Sequence, residues 1–222
     1  MARSEVVRGY GGVSADERRA DRRRRLLAAG RELWGRGGLG EVTVRGVCAA
    51  AGLQPRYFYE HFAGRDQLVE AVADQVRDQL LGTLVESALG VGGDLRERLR
   101  AALTAFFGEI AADPSVHAIM RTDLAVIPGL EKRRTESLDM VAELILRHGA
   151  ADTAVVPAAG TDPRRAARFA AGGVNHLLEG WLAQPEGTPE ELAELCTRLC
   201  LRLVDGRHHD PASGGRTQPA AD

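Results

Sequence analysis

One glycine between two short helical stretches constrains this chain more than any other feature. Thr43 is placed to N-cap the first stretch, because its hydroxyl can accept a bond from an otherwise orphan helix N–H. Val44, Val47, Cys48 and Ala51 then recur at i, i+3, i+4, i+7 and make one narrow apolar stripe. Gly46 inside that stretch weakens it by ~1 kcal/mol relative to alanine. Gly52 supplies the left-handed residue that ends the helix, Leu53 is an apolar anchor after the turn, and Pro55 suits the first turn of a second helix. Phe58 and Phe62, four apart, turn inward, which leaves Arg56, Tyr57, Tyr59 and His61 facing out. A cation, two phenols and an imidazole on one short helix suit a polyanion. The layout is that of a helix-turn-helix, whose second helix enters the major groove of DNA.

Further pieces extend this pattern over residues 22–72: Leu26-Leu27-Ala28-Ala29-Gly30, Leu33-Trp34, Gly37-Gly38, Thr43-Val44-Arg45, Ala51-Gly52-Leu53, Tyr57-Phe58-Tyr59-Glu60-His61-Phe62 and Arg65-Asp66-Gln67-Leu68. Taken together they resemble the TetR family of bacterial transcriptional regulators, without a gap; Gly46 departs from it, standing where a polar or acidic residue is more usual. The resemblance implies that Thr43, Tyr59, His61 and Arg65 touch the DNA backbone, the usual partner of hydroxyls and cations. It implies that Arg45, Arg56 and Tyr57 reach base edges, where arginine on guanine is the commonest specific contact, and that Pro55 meets a thymine methyl.

Charge is divided along the chain in the same sense. The net charge is −2, yet residues 1–67 hold 13 Arg against 8 Asp+Glu, while the rest holds 16 basic and 23 acidic residues. A basic module on an acidic body is expected where one end meets phosphate. Arg18, Arg19, Arg22, Arg23, Arg24 and Arg25 form a run that reads either as a solvated helix face or as a contact to phosphate or the minor groove. Lys132 is the sole lysine, a bias that by itself says nothing about DNA.

The string from Gly35 to Gly40 matches a dinucleotide-binding fingerprint but follows a helix rather than a strand, so it is read as a helix end and loop. Cys48, Cys196 and Cys200 lack metal-ligand spacing and read as buried thiols, with a redox switch as the alternative for Cys196 and Cys200. No stretch is long and apolar enough to span a bilayer, and the N-terminus lacks an apolar signal region, so a cytoplasmic protein without membrane contact is expected. No metal and no cofactor are expected.

Caps and breakers predict an all-α fold of about nine helices: an N-terminal three-helix helix-turn-helix domain followed by a helical ligand-binding and dimerisation bundle. Ser14 with Glu17, Asp94, Asp113-Pro114, Asp162-Pro163 and Thr188 with Glu191 are helix starts. Gly37-Gly38, Gly90 to Gly93, Pro128-Gly129, residues 149–162 and Pro185 to Gly187 are interruptions. The division expected is a disordered arm over 1–14, the DNA-binding domain over 15–67, the ligand-binding and dimerisation domain over 68–205, and a disordered tail over 206–222.

Within the body, Phe106, Phe107, His117, Met120, Arg121, Leu124, Met140, Phe169, Asn175 and His176 are the aromatic, sulfur-bearing and polar residues available to line a pocket between helices. His117 and Arg121, four apart, suit an anionic or hydrogen-bonding ligand. The last two helices carry apolar stripes, and the resemblance implies that this pair forms a four-helix dimer interface. Its candidates are Phe169, Leu177, Trp181, Leu192, Leu195, Cys196 and Leu199. The function expected is a homodimeric repressor of double-stranded operator DNA, released by an unidentified small-molecule effector. The alternatives are a ligand-independent or activating regulator and, more remotely, a non-regulatory helical enzyme or small-molecule-binding protein. Against the enzyme, no nucleophile elbow, zinc-protease motif or phosphate loop is present.

Overall fold

The computed structural model describes residues 14–122, 129–149 and 162–204. Among them lie nine α-helices and no strand: α1 (Ala15–Gly37), α2 (Val44–Ala51), α3 (Pro55–Tyr59), α4 (Arg65–Gly90), α5 (Leu95–Ala112), α6 (Pro114–Met120), α7 (Leu130–Gly149), α8 (Pro163–Ala183) and α9 (Pro189–Val204), with a 3-10 turn at Leu39–Glu41. The expected arm (Ser14 apart), the expected tail and most of the 149–162 loop lie outside the described residues, as does Leu124.

Helix starts follow directly from local chemistry. At three of them two orphan donors are satisfied reciprocally. The Ser14 hydroxyl accepts from Glu17 N–H while Glu17 accepts from Ser14 N–H; Asp94 with Glu97 and Thr188 with Glu191 repeat the arrangement. Asp113 and Asp162 each cap a helix that has proline at its start.

The described residues form two compact units. The first takes the residues up to Gln79 together with Ile110–Glu131; the second takes Leu80–Glu109 and the residues from Lys132 on. Helices α4 and α5 supply residues to both. The first unit thus extends beyond the expected boundary at residue 67. The reason is packing: Leu68, Val69, Val72 and Val76 of α4 are buried together with Leu26, Trp34, Val47 and Phe58.

Helix α6 belongs to the first unit because α1 is built to receive it. A Cβ added at Gly35 would stand 2.6 Å from Ser115 Cβ and 2.7 Å from Ser115 Cα, so only glycine admits so close an approach. Beside it Arg31 donates to Ser115 Oγ (2.9 Å), Gln79 Oε1 (2.7 Å) and Asp113 Oδ2 (2.7 Å), and Trp34 Nε1 donates to Thr122 Oγ1 (2.8 Å). The Ser115 hydroxyl, donating to Asp113, is the main cause holding that carboxyl below its usual range.

In the second unit α8 packs on α9 around Leu178, Leu182, Leu192, Ala193 and Cys196. Helices α7 and α8 are laced by ion pairs between Arg168 and Asp139, Arg164 and Glu143, and Arg134 and Glu179. Burial drives the Cys196 thiol up to about 12 and raises Cys48 and Cys200 as well, so these groups behave as small apolar side chains rather than reactive thiolates.

Candidate nucleic-acid interface

The turn between α2 and α3 is assembled from few atoms. Thr43 Oγ1 accepts from Gly46 N–H (3.0 Å) at the start of α2. At its end Gly52 takes the left-handed conformation at φ 63°, and Leu53 N–H returns to Cys48 O (2.9 Å). Arg25 of α1 donates to Ala51 O (2.6 Å), satisfying one of the last carbonyls of the helix.

Helix α3 has only five residues and no side-chain cap at Gln54. An isolated helix of that length does not persist in water. Its stability comes from its neighbours. Phe58 and Phe62 are both buried, with ring centroids 5.6 Å apart. From α1, Arg19 donates to Glu60 O (3.3 Å), Arg22 pairs with the Glu60 carboxylate (3.3 Å), and Arg23 lies over the Phe62 ring (5.1 Å). The basic run therefore folds largely back onto the end of α2, α3 and the residues just after it: Arg19, Arg22, Arg23 and Arg25 all engage the protein, and Arg24 bonds Asp21 of its own helix. Sequence could not distinguish this from a solvated face, because the partners stand some 26 to 41 residues away.

The eight candidate contact residues then separate by environment. Arg45, Pro55, Arg56 and Tyr59 are exposed, Tyr59 to 60 %. Thr43 is exposed although its oxygen already caps α2. Tyr57 is half-buried, with the guanidinium groups of Arg22 and Arg56 over its ring at 4.8 and 4.6 Å, and Arg56 also donates to its hydroxyl (2.7 Å). His61 is half-buried beside Asp16, Arg19, Arg23 and Glu60, and its Nε2 is buried without a partner. Burial is the main cause that lowers its pKa, assisted by Arg19, Arg22 and Arg23 and opposed by Glu60, so the ring favours the neutral form. Arg65, the last of the eight, is half-buried and bonded within the chain. Its guanidinium donates to Val42 O (2.6 Å), Leu39 O (2.8 Å) and Asp66 Oδ1 (3.1 Å), which ties the start of α4 to the 3-10 turn.

These observations place an exposed, cation- and phenol-bearing short helix on a rigid three-helix support. Residues 26–72 match the family model described as bacterial regulatory proteins, tetR family. Over that segment the chain is similar to the TetR family. It is 25 % identical over 163 residues to the HTH-type transcriptional regulator AlkX of Mycobacterium tuberculosis, covering 73 % of this chain and 65 % of that one. It is 30 % identical over 106 residues to the HTH-type transcriptional repressor KstR2 of Rhodococcus jostii, covering 48 % and 52 %. The chain thus spans less than two thirds of the length of either relative. A crystal structure of a TetR-family regulator from Rhodococcus sp. shares the fold, at TM-score 0.64 and 21 % identity over 83 % of this chain and 99 % of that one. Both relatives are named as transcriptional regulators.

The ten candidate pocket residues are drawn from both units, with Leu124 outside the described residues. Phe106, Phe107, Met140, Phe169, Asn175 and His176 fall in the second unit, and His117, Met120 and Arg121 in the first. Phe106 and Phe107 meet edge to face at 5.3 Å, and Phe107 is fully buried. Asn175 Nδ2 donates to Glu179 Oε1 (3.2 Å), with His176 beside the same carboxylate. Met140 and Phe169 are exposed, Phe169 to 69 %. Of the candidate dimer residues, Phe169 and Leu199 stand exposed, and Leu177, Trp181 and Leu195 are half-buried. Leu192 and Cys196 are covered by the chain itself and serve the packing of α8 on α9. Among the described residues no helix is long and apolar enough to cross a membrane, and no group of three or more His, Cys, Asp or Glu is disposed to hold a metal ion.

Proposed function

We propose that this chain is a cytoplasmic, homodimeric transcriptional repressor that binds double-stranded operator DNA through α3 and the start of α2. The observation that carries the reading is the exposure of Arg45, Arg56 and Tyr59 on a short helix pair whose Val47, Cys48, Ala51 and Phe58 are buried on the other side. Arg45 and Arg56 read base edges, while Thr43, Tyr59 and His61 meet phosphates and Pro55 sits at the tip. Arg65 contributes by fixing the start of α4. The term repressor follows the relative KstR2.

Two copies associate through α8 and α9, where Phe169 and Leu199 are large apolar side chains left uncovered by their own chain. A dimer sets the two reading helices about one DNA turn apart, ~34–36 Å. A small-molecule effector binds in the second unit, near Phe106 and Phe107, and α4, which runs through both units, carries the response. Release requires that the effector prefer the DNA-free state.

The experiment is selection from a pool of random 30-base-pair duplexes by the full-length protein, followed by titration of the enriched duplex and a scrambled one. The wild type enriches a palindromic sequence. Arg45→Ala loses discrimination, since a bidentate base contact contributes ~1–3 kcal/mol. Tyr59→Phe weakens both duplexes alike by roughly 0.5–1.5 kcal/mol. A pool that emerges unchanged rejects the proposal.

A further inference from the structure

The mechanism above needs α3 to be held in one orientation, yet its own five residues cannot do so. Among the arginines of α1, one touches both functional faces of that helix. Arg22 pairs through Nη2 with the Glu60 carboxylate at 3.3 Å, and its Cζ lies 4.8 Å from the centroid of the Tyr57 ring. Its side chain is only 23 % exposed, and its Nε is buried. Arg24, two residues on, is 70 % exposed and bonds only within its own helix. The difference sets Arg22 apart from a solvated cation waiting for phosphate.

We propose that Arg22 is a positioning residue for sequence reading: it fixes Tyr57 of α3 and Glu60, which caps its end, and does not itself touch DNA. The inference rests on the reading that α3 faces DNA. Two physical effects follow from the geometry. The guanidinium over Tyr57 restricts the ring, and with it Arg56, whose own guanidinium lies over the same ring and bonds its hydroxyl. The ion pair also anchors Glu60, the residue that follows α3, and so fixes the end of the helix. Loss of Arg22 therefore spoils the discrimination between sequences more than the attraction to DNA in general. A phosphate contact behaves in the opposite way: it weakens all duplexes alike and lowers the salt slope by about 0.9 per phosphate.

The test uses the full-length protein, the duplex enriched by the wild type and a scrambled duplex of equal composition, each titrated over a range of KCl concentrations. Arg22→Gln should lose about five- to tenfold in affinity for the enriched duplex, the combined size of an exposed cation–π contact and a surface ion pair. It should lose less than about twofold on the scrambled duplex, with a salt slope within about 0.3 of the wild type. Arg22→Lys, which keeps the pair with Glu60 but not the planar cation, should recover part of the discrimination. In a Tyr57→Ala background the effect of Arg22→Gln should shrink, because coupled residues are not additive. Thermal melts accompany each variant. If Arg22→Gln is unfolded at the assay temperature, Arg22→Lys and Glu60→Gln carry the comparison, and both must lower discrimination. Equal losses on the two duplexes with a slope reduced by about 0.9 would show a phosphate contact and overturn the proposal, as would wild-type discrimination in all Arg22 variants. A wild type that enriches no duplex rejects the DNA-reading proposal itself, a result distinct from either.

Discussion

The joint between α1 and α6 makes a sharp prediction through Gly35. Replacing it with alanine puts a methyl group 2.6 Å from Ser115 Cβ and 2.7 Å from Ser115 Cα. Carbon atoms rest at about 3.5–4.0 Å, so the two helices must part locally by about 1 Å. Ser115 Cα is backbone, and no rotamer change relieves that contact. Overpacking of this kind costs about 1–3 kcal/mol, while the better helix propensity of alanine returns up to ~1 kcal/mol. The net expectation is a loss of about 1–2 kcal/mol, increased by any lengthening of the bonds from Arg31 to Ser115 and Asp113 in the same joint. Gly82 in α4 is the internal control. A Cβ there meets nothing within 4 Å, so Gly82→Ala should be stabilising by up to ~1 kcal/mol. Urea unfolding followed by circular dichroism reads both as shifts in midpoint at constant slope. The reasoning is refuted if Gly35→Ala matches or exceeds the wild type in stability.

Three other outcomes are expected. His61 has its pKa lowered in the folded chain, so folding favours the neutral ring: this contribution is complete above the unfolded value near 6.5 and is lost as pH falls from there through the folded pKa. Urea midpoints should therefore drop more between pH 7.5 and 5 for the wild type than for His61→Gln, and parallel curves would show that His61 is not responsible. Leu199→Arg changes an exposed position on α9, so the monomer should remain folded while the dimer dissociates at micromolar concentration in sedimentation velocity; a persistent dimer would move the interface elsewhere. For a cognate effector, calorimetry with and without operator should give affinities differing by the factor by which effector weakens DNA binding, and equal affinities would remove the release mechanism.

The helix boundaries were legible in the sequence because each depends on a few adjacent residues. Ser14 with Glu17 and Thr188 with Glu191 announce their helices through bonds to backbone three residues away, and Gly52 announces the end of α2 through its left-handed backbone. The inward pair Phe58 and Phe62 was equally local, a matter of spacing on one turn. Long-range commitments were not legible. Arg19, Arg22 and Arg65 resemble any surface arginine until the carbonyls and carboxylates of distant residues are placed beside them. Gly35 sat in a string read as a helix end and loop, and nothing local showed that it lets Ser115 approach α1. In the body, periodicity identified faces but not what covers them, so Cys196 and Phe169 entered the same candidate list although one is buried and the other exposed.

The central claim is that α3 of each of two copies reads the major groove of one duplex. Hydroxyl-radical footprinting of the wild type on its enriched duplex tests this directly. The account predicts two protected patches related by a twofold axis, with centres one helical turn, ~34–36 Å, apart, and loss of the pattern in Arg45→Ala at concentrations where the wild type protects fully. A single patch, or protection spread evenly along the duplex, would contradict it.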